Sequence, residues 1–181
     1  TFNDALQLLF ERGKSMQQAV PVGRGSMLAV FNSTIEDINK CIVKLKNKGV
    51  CEIANDNSEG QVILSGNTES IEELKFILKE NKKKSITLPV SAPFHCSLMN
   101  PAAVKMKEKI DNINFKKPDY EIISNVTSLP TNNPVDIKKL LVQQIYSKVR
   151  WRESILFMGS EKINDFIEIG PGKVLSGLLK R

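Results

Sequence analysis

Between residues 25 and 90 the hydrophobic pattern changes between a period of two and a period of 3.6 in an order that few folds accommodate. Residues 26–31 read as a strand. A helix is expected over 35–48, with Thr34 as N-cap, Ile35, Ile38, Ile42 and Leu45 on the buried face, and Gly49 just past its end. Strands are expected over 50–54 and 61–65, joined by the turn-forming run Asn55-Asp56-Asn57-Ser58-Glu59-Gly60. Thr68 caps a second helix that turns Ile71, Leu74, Ile77 and Leu78 inward. Glu72 and Glu73 lie early in it and Lys82, Lys83 and Lys84 late, as the helix dipole favours. A last strand over 85–90 completes the order βαββαβ, the split motif of ferredoxin-like domains.

RNA-recognition domains share that order and stack bases on aromatic residues of their two central strands. Here those strands, 26–31 and 61–65, offer only Phe31, so no nucleic-acid partner is expected. The net charge of +6 is carried mostly by lysines on helix faces, where it serves solubility or a weak attraction to acidic partners. No apolar run is long enough to span a bilayer, so no membrane is expected. Cys41, Cys51 and Cys96 are odd in number and lack metal-ligand spacing. Neither a disulfide framework nor a metal site is expected, and a reducing, cytoplasmic setting is the simpler reading, with an organelle matrix as the other.

The flanks are helix-rich. A helix over 2–20 carries Phe2, Ala5, Leu6, Leu8, Leu9 and Met16 toward one buried side, with Asn3 or Asp4 as its cap. Further helices are expected over 102–113, 135–146, 151–158 and 174–180, and strands over 122–126 (buried) and 166–169. The second of these strands runs into Gly170-Pro171-Gly172-Lys173, which either brings backbone N–H groups near an anion or is only a tight connection. Residues 88–99, Leu-Pro-Val-Ser-Ala-Pro-Phe-His-Cys-Ser-Leu-Met, hold the only histidine. His95 is expected at a strand-to-helix turn, where open α/β sheets place ligand sites, and on residue type alone it is either functional or structural.

Six stretches together resemble the malonyl-CoA:acyl carrier protein transacylase family. They are Glu11-Arg12-Gly13-Lys14-Ser15-Met16-Gln17; Asn55-Asp56-Asn57-Ser58 with Gly60-Gln61-Val62-Ile63-Leu64-Ser65-Gly66; and residues 88–99. They continue with Ser124-Asn125-Val126-Thr127; Gln144-Ile145-Tyr146 with Val149-Arg150-Trp151; and Glu168-Ile169-Gly170-Pro171-Gly172-Lys173-Val174-Leu175. Each is weak alone, and their shared order makes the resemblance specific.

The resemblance implies an α/β fold in which residues 1–22 and 91–181 are parts of an α/β-hydrolase-like acyltransferase core. Residues 23–90 would be the inserted ferredoxin-like subdomain. It implies ping-pong transfer of a malonyl group from malonyl-CoA to the phosphopantetheine thiol of acyl carrier protein, through a malonyl-serine ester and with no cofactor beyond those carriers. On this resemblance His95 is the base, the backbone carbonyl of Gln144 orients it, and Arg12 binds the malonyl carboxylate through its planar fork. Met16 either lines the acyl pocket or packs the core, and Asn55 and Asn57 either approach the substrate or shape a turn. Phe94 matches a malonyl-selective pattern in which a bulky ring disfavours a branched methylmalonyl group.

The family's nucleophile lies in a Gly-His-Ser-x-Gly turn, and an earlier Gly-Gln-Gly-Ser-Gln stretch supplies part of the oxyanion hole. Neither occurs in this sequence, where Ser91, Ser97 and Ser176 lie in other contexts. The chain is therefore expected to be the C-terminal portion of such an enzyme and inactive alone. The alternative, from another class, is a non-catalytic fragment that binds CoA or acyl carrier protein.

Overall fold

The computed structural model describes residues 1–180 and is α/β throughout. Its elements are α1 (Phe2–Ala19), β1 (Gly25–Phe31), α2 (Ile35–Ile42), β2 (Cys51–Ser58), β3 (Gln61–Asn67), α3 (Thr68–Glu80) and β4 (Lys84–Thr87). A 3-10 turn at Ser97–Met99 precedes α4 (Asn100–Asp111), β5 (Ile122–Ile123), β6 (Pro130–Thr131), α5 (Pro134–Gln143), α6 (Trp151–Ser160) and α7 (Val174–Leu179).

The first four strands form one antiparallel sheet in the order β2-β3-β1-β4. Because successive side chains in a strand point to opposite faces, its apolar residues sort into two clusters. Leu28, Val30, Val62 and Leu64 pack against Ile38 and Cys41 of α2 and Ile71, Leu74, Ile77 and Leu78 of α3. Met27, Ala29, Ala54 and Ile63 face the other way, under Leu88 and Phe94. A third cluster joins Met16 and Val20 to Ala92, Met99, Ala102, Ala103, Met106, Ile110 and Ile145, and Phe94 touches this one too. The segment that leaves β4 is thus clamped between the sheet and the helices.

Several boundaries differ from the sequence expectations. The cap of α1 is Thr1, not Asn3 or Asp4; Asp4 instead closes a capping box three residues in. The expected buried side of α1 is only partly buried: Met16 is in the core, whereas Phe2 and Leu9 are exposed, since among the described elements α1 packs mainly against α4. Helix α2 stops at Ile42 rather than Lys48. The Glu73 carboxylate of α3 accepts the Lys46 and Asn47 N–H groups at 2.9 and 3.0 Å, so those donors serve an inter-element contact rather than another helical turn. Asn67, not Thr68, is the N-cap residue of α3; its side-chain oxygen accepts the Val50 N–H at 2.7 Å.

The run 55–58 is strand, not turn, and only Glu59 and Gly60 are left to reverse the chain. The outer edge of β2 there is occupied: Val149 donates to the Ala54 carbonyl at 2.8 Å and accepts from the Asp56 N–H at 2.9 Å. Strand β4 is shorter than expected, Lys84–Thr87. The buried strand expected at 122–126 is a two-residue piece, half exposed, paired with Pro130–Thr131. It is cut short by a tight turn in which the Ser128 N–H donates to the Ser124 carbonyl at 2.8 Å. Residues 166–169 form no strand: Ile167 and Ile169 are 88% and 94% exposed, and no described strand pairs with them. The N–H groups after the Gly170 turn do meet an anion, but it is the chain's own Glu168 carboxylate, which accepts from Leu175 at 3.1 Å and Ser176 at 2.9 Å.

Candidate functional site

His95 sits in the turn between Pro93 and the 3-10 segment, with its backbone at φ 59°. A non-glycine residue in this left-handed region costs about 1–3 kcal/mol and persists where its surroundings over-determine it. The surroundings here do so. Cys96 Sγ donates to the Pro93 carbonyl at 3.2 Å, and the Ser65 hydroxyl donates to Cys96 Sγ at 3.6 Å. The Ser97 N–H and hydroxyl both donate to the Glu52 carboxylate, at 2.9 and 2.5 Å. Upstream, the Ser91 hydroxyl donates to Gln17 Oε1 of α1 at 2.5 Å.

The ring itself is fixed from α5. His95 Nδ1 lies 3.0 Å from the carbonyl oxygen of Gln144, the C-cap residue of that helix. The last carbonyls of a helix have no intrahelical partner, so this one is free to accept. A carbonyl only accepts, so the neutral imidazole carries its proton on Nδ1 and presents the lone pair of Nε2. Burial lowers the His95 pKa from the ordinary 6.5, and the nearby Arg12 cation lowers it further, against the hydrogen bonds at Gln144 and Ser147 that raise it. The outcome is a neutral, unprotonated Nε2 near neutral pH, the form a general base requires.

Arg12, one turn before Met16 on α1, is half-buried, and burial draws its guanidinium below the ordinary value. Among the described residues no carboxylate pairs with it. It lines a cavity of about 770 Å³ between α1, α4 and α5, together with Leu8, Ile110, Phe115 and Leu141. His95 does not line that cavity, although the Arg12 cation bears on its ring; a planar cation with no carboxylate of its own suits a substrate that brings one.

The other expected positions fall further out. Met16 is a core residue at 3% exposure. Phe94 is half-buried between two clusters next to His95. Asn55 lies in β2, where it pairs with Ile63 and bridges to Val149 of the loop that follows Gln144. Asn57 lines a separate 200 Å³ pocket with Trp151, Arg152 and Ile155. Beside it the buried Asp56 carboxylate accepts both Arg152 Nε and Nη2, at 2.9 to 3.1 Å, and pins the start of α6 to β2. Asp56, Ser65 and Ser97 lie within the stretches quoted for the resemblance but were given no role there, and Glu52 and Arg152 lie outside them. The signal available for Glu52 was a carboxylate at a half-buried strand position between Cys51 and Ile53.

Similarity to known proteins fits this geometry. No family model matches the chain. A malonyl CoA-acyl carrier protein transacylase of Bacillus subtilis is 42% identical over 183 residues, covering 100% of this chain and 58% of the relative. The chain matches the C-terminal portion of the malonyl CoA-acyl carrier protein transacylase family. It spans about 58% of the length of the curated relatives it matches. The transacylase structure from Coxiella burnetii superposes with a TM-score of 0.97 at 35% identity, over 100% of this chain and 58% of its own. A malonyl-transacylase solved in complex with its type II PKS acyl-carrier protein gives 0.95 at 36% identity, over 99% and 59%. Among the described residues no helix is long and apolar enough to cross a membrane, and no group of three acidic, Cys or His side chains could hold a metal.

Proposed function

We propose that a protein carrying this chain transfers malonyl groups from malonyl-CoA to the phosphopantetheine thiol of acyl carrier protein, in fatty acid synthesis, by a ping-pong mechanism. The observation that carries this reading is the pairing of His95 Nδ1 with the Gln144 carbonyl next to an unpartnered Arg12. In it, Nε2 of His95 accepts the proton of a serine hydroxyl as that oxygen attacks the malonyl thioester. The imidazolium returns the proton to the departing CoA thiolate. In the second half, Nε2 takes the proton of the phosphopantetheine thiol, the thiolate attacks the malonyl ester, and the proton goes back to the serine. The nucleophilic serine belongs to a Gly-His-Ser-x-Gly turn that this sequence does not contain.

Arg12 accepts the free malonyl carboxylate in a two-pronged pair and so selects against uncharged acyl groups. Phe94, packed beside His95, narrows the space for a methyl branch. Met16 supports Arg12 from the core, and Asn55 and Asn57 set the edge of β2 that faces the loop after Gln144. The sheet order β2-β3-β1-β4 with α2 and α3 on one face supports a ferredoxin-like subdomain over residues 23–90. Residues 1–22 and 91–181 are then parts of the α/β-hydrolase-like core, in the cytoplasm or an organelle matrix. Transfer of labelled malonyl to acyl carrier protein, compared between the parent protein and its Arg12→Ala form, tests the reading. Loss of malonyl transfer with a gain of acetyl transfer supports it, and an unchanged preference for malonyl contradicts it.

A further inference from the structure

Glu52 and Ser65 face each other across β2 and β3, and between them they hold the two residues that follow His95. Each oxygen of the Glu52 carboxylate takes one donor of Ser97: Oε2 the backbone N–H at 2.9 Å and Oε1 the hydroxyl at 2.5 Å. No cation pairs with Glu52 among the described residues. A half-buried carboxylate in a strand has thus been committed wholly to one serine of a turn. Hydrogen bonds to an ionised acceptor are the strong ones, and here both act on Ser97, two residues from His95, one at its backbone N–H and one at its hydroxyl.

The Gln144 carbonyl fixes the direction of the ring but not the backbone that bears it. That backbone is at φ 59°, a conformation that relaxes unless it is held. We propose that Glu52 is a positioning residue for His95, acting through Ser97 to hold the strained turn from which the imidazole is aimed. The proposal rests on the reading of His95 as the general base.

Charge and displacement give opposite signs, which makes the role testable. The groups that bear on the ring are Arg12 of α1 and the backbone of Gln144 and Ser147 after α5; Glu52 bears on the thiols of Cys51 and Cys96 instead. Removing a carboxylate for its charge alone lowers the pKa of an imidazole. Releasing the turn hydrates the ring and raises it.

The experiment uses the protein that carries this chain, with Glu52→Ala, Glu52→Gln and Ser97→Ala forms. It reads malonyl-CoA kinetics and the imidazole titration by NMR, with the His95 signal assigned by its loss in His95→Gln. In Glu52→Ala, kcat is expected to fall by about 10- to 100-fold, the scale of a small misplacement of a catalytic group. KM for malonyl-CoA is expected to stay within about twofold, because binding groups are untouched. The His95 pKa is expected to rise toward 6.5. Glu52→Gln recovers part of the loss, since its amide oxygen still accepts one Ser97 donor. Ser97→Ala, which keeps the backbone donor, shows a smaller change of the same kind. A wild-type kcat in Glu52→Ala, or a His95 titration that is unchanged or shifted down, overturns the proposal. Should Glu52→Ala fail to fold, Glu52→Gln and Ser97→Ala read the same quantities. If the wild type transfers no malonyl, the base reading fails, while the direction of the titration still decides whether Glu52 holds the turn.

Discussion

The imidazole Nδ1 of His95 is 3.0 Å from the backbone carbonyl oxygen of Gln144, across 49 residues of chain. The contact joins a strained turn to the end of a helix, and each supplies what the other lacks. Helix α5 ends with carbonyls that have no internal acceptor role left to fill. The turn projects a ring that needs one nitrogen fixed so that the other is free. Because the acceptor is backbone, a Gln144→Ala substitution is expected to leave malonyl transfer within about threefold of wild type, where loss of a functional side chain costs far more. Steady-state kinetics of that variant check it.

The pH dependence follows from the depressed His95 pKa, caused first by burial and then by Arg12. The acid limb of kcat/KM is expected below 6.5, the ordinary imidazole value, and to move upward in Arg12→Ala. Stability has a matching sign. Between the folded pKa and 6.5 the unfolded chain binds the extra proton, so stability falls as pH drops through that window. Denaturant titrations at several pH values are expected to show a shallower fall for His95→Gln than for wild type.

Arg12 is expected to act on substrate choice more than on chemistry. Arg12→Ala should lower kcat/KM for malonyl-CoA by about 100-fold, equivalent to about 2.7 kcal/mol, the size of a charge-assisted pair. Arg12→Lys is expected to restore little, because an ammonium cannot reproduce a planar fork. Competition between malonyl-CoA and acetyl-CoA measures both.

The Asp56–Arg152 pair ties β2 to α6. Asp56 is buried at 1% exposure, so Arg152→Ala leaves a carboxylate without its cation and is expected to cost about 3 kcal/mol. Asp56→Asn, which keeps an acceptor and removes the stranded charge, is expected to cost less. Equilibrium unfolding of the two variants and the double variant measures the coupling.

Gly66 in β3 admits no side chain: an added Cβ would stand 1.9 Å from the Val50 carbonyl oxygen. Gly66→Ala is expected to destabilise by about 1–3 kcal/mol through the forced shift of β2 against β3. Because Glu52 follows Cys51, the β2 partner of Gly66, the same variant should also loosen the His95 turn.

The split between what the sequence carried and what it hid has a physical pattern. Elements whose apolar residues are also the buried ones were legible, such as β1 and α3. Ends set by contacts between distant elements were not. Nothing local in residues 43–48 announces that Glu73 will take the N–H groups of Lys46 and Asn47. Nothing in 55–58 announces that Val149 will extend the strand by bonding its outer edge. The apolar run at 166–169 reads as a strand, but a strand needs a neighbour, and none is present among the described residues. At the candidate site, His95, Arg12 and Gln144 were singled out through a family resemblance. Glu52 and Ser97 were hidden because their meaning lies in a 45-residue separation that only folding closes.

The central claim is that His95 is the general base of a malonyl transfer. Its most direct measurement is single-turnover transfer of radiolabelled malonyl from malonyl-CoA to acyl carrier protein by the parent protein and its His95→Ala form. The account predicts loss of at least about a hundredfold in the variant, with the fold intact by circular dichroism. Transfer at the wild-type rate in His95→Ala would contradict it.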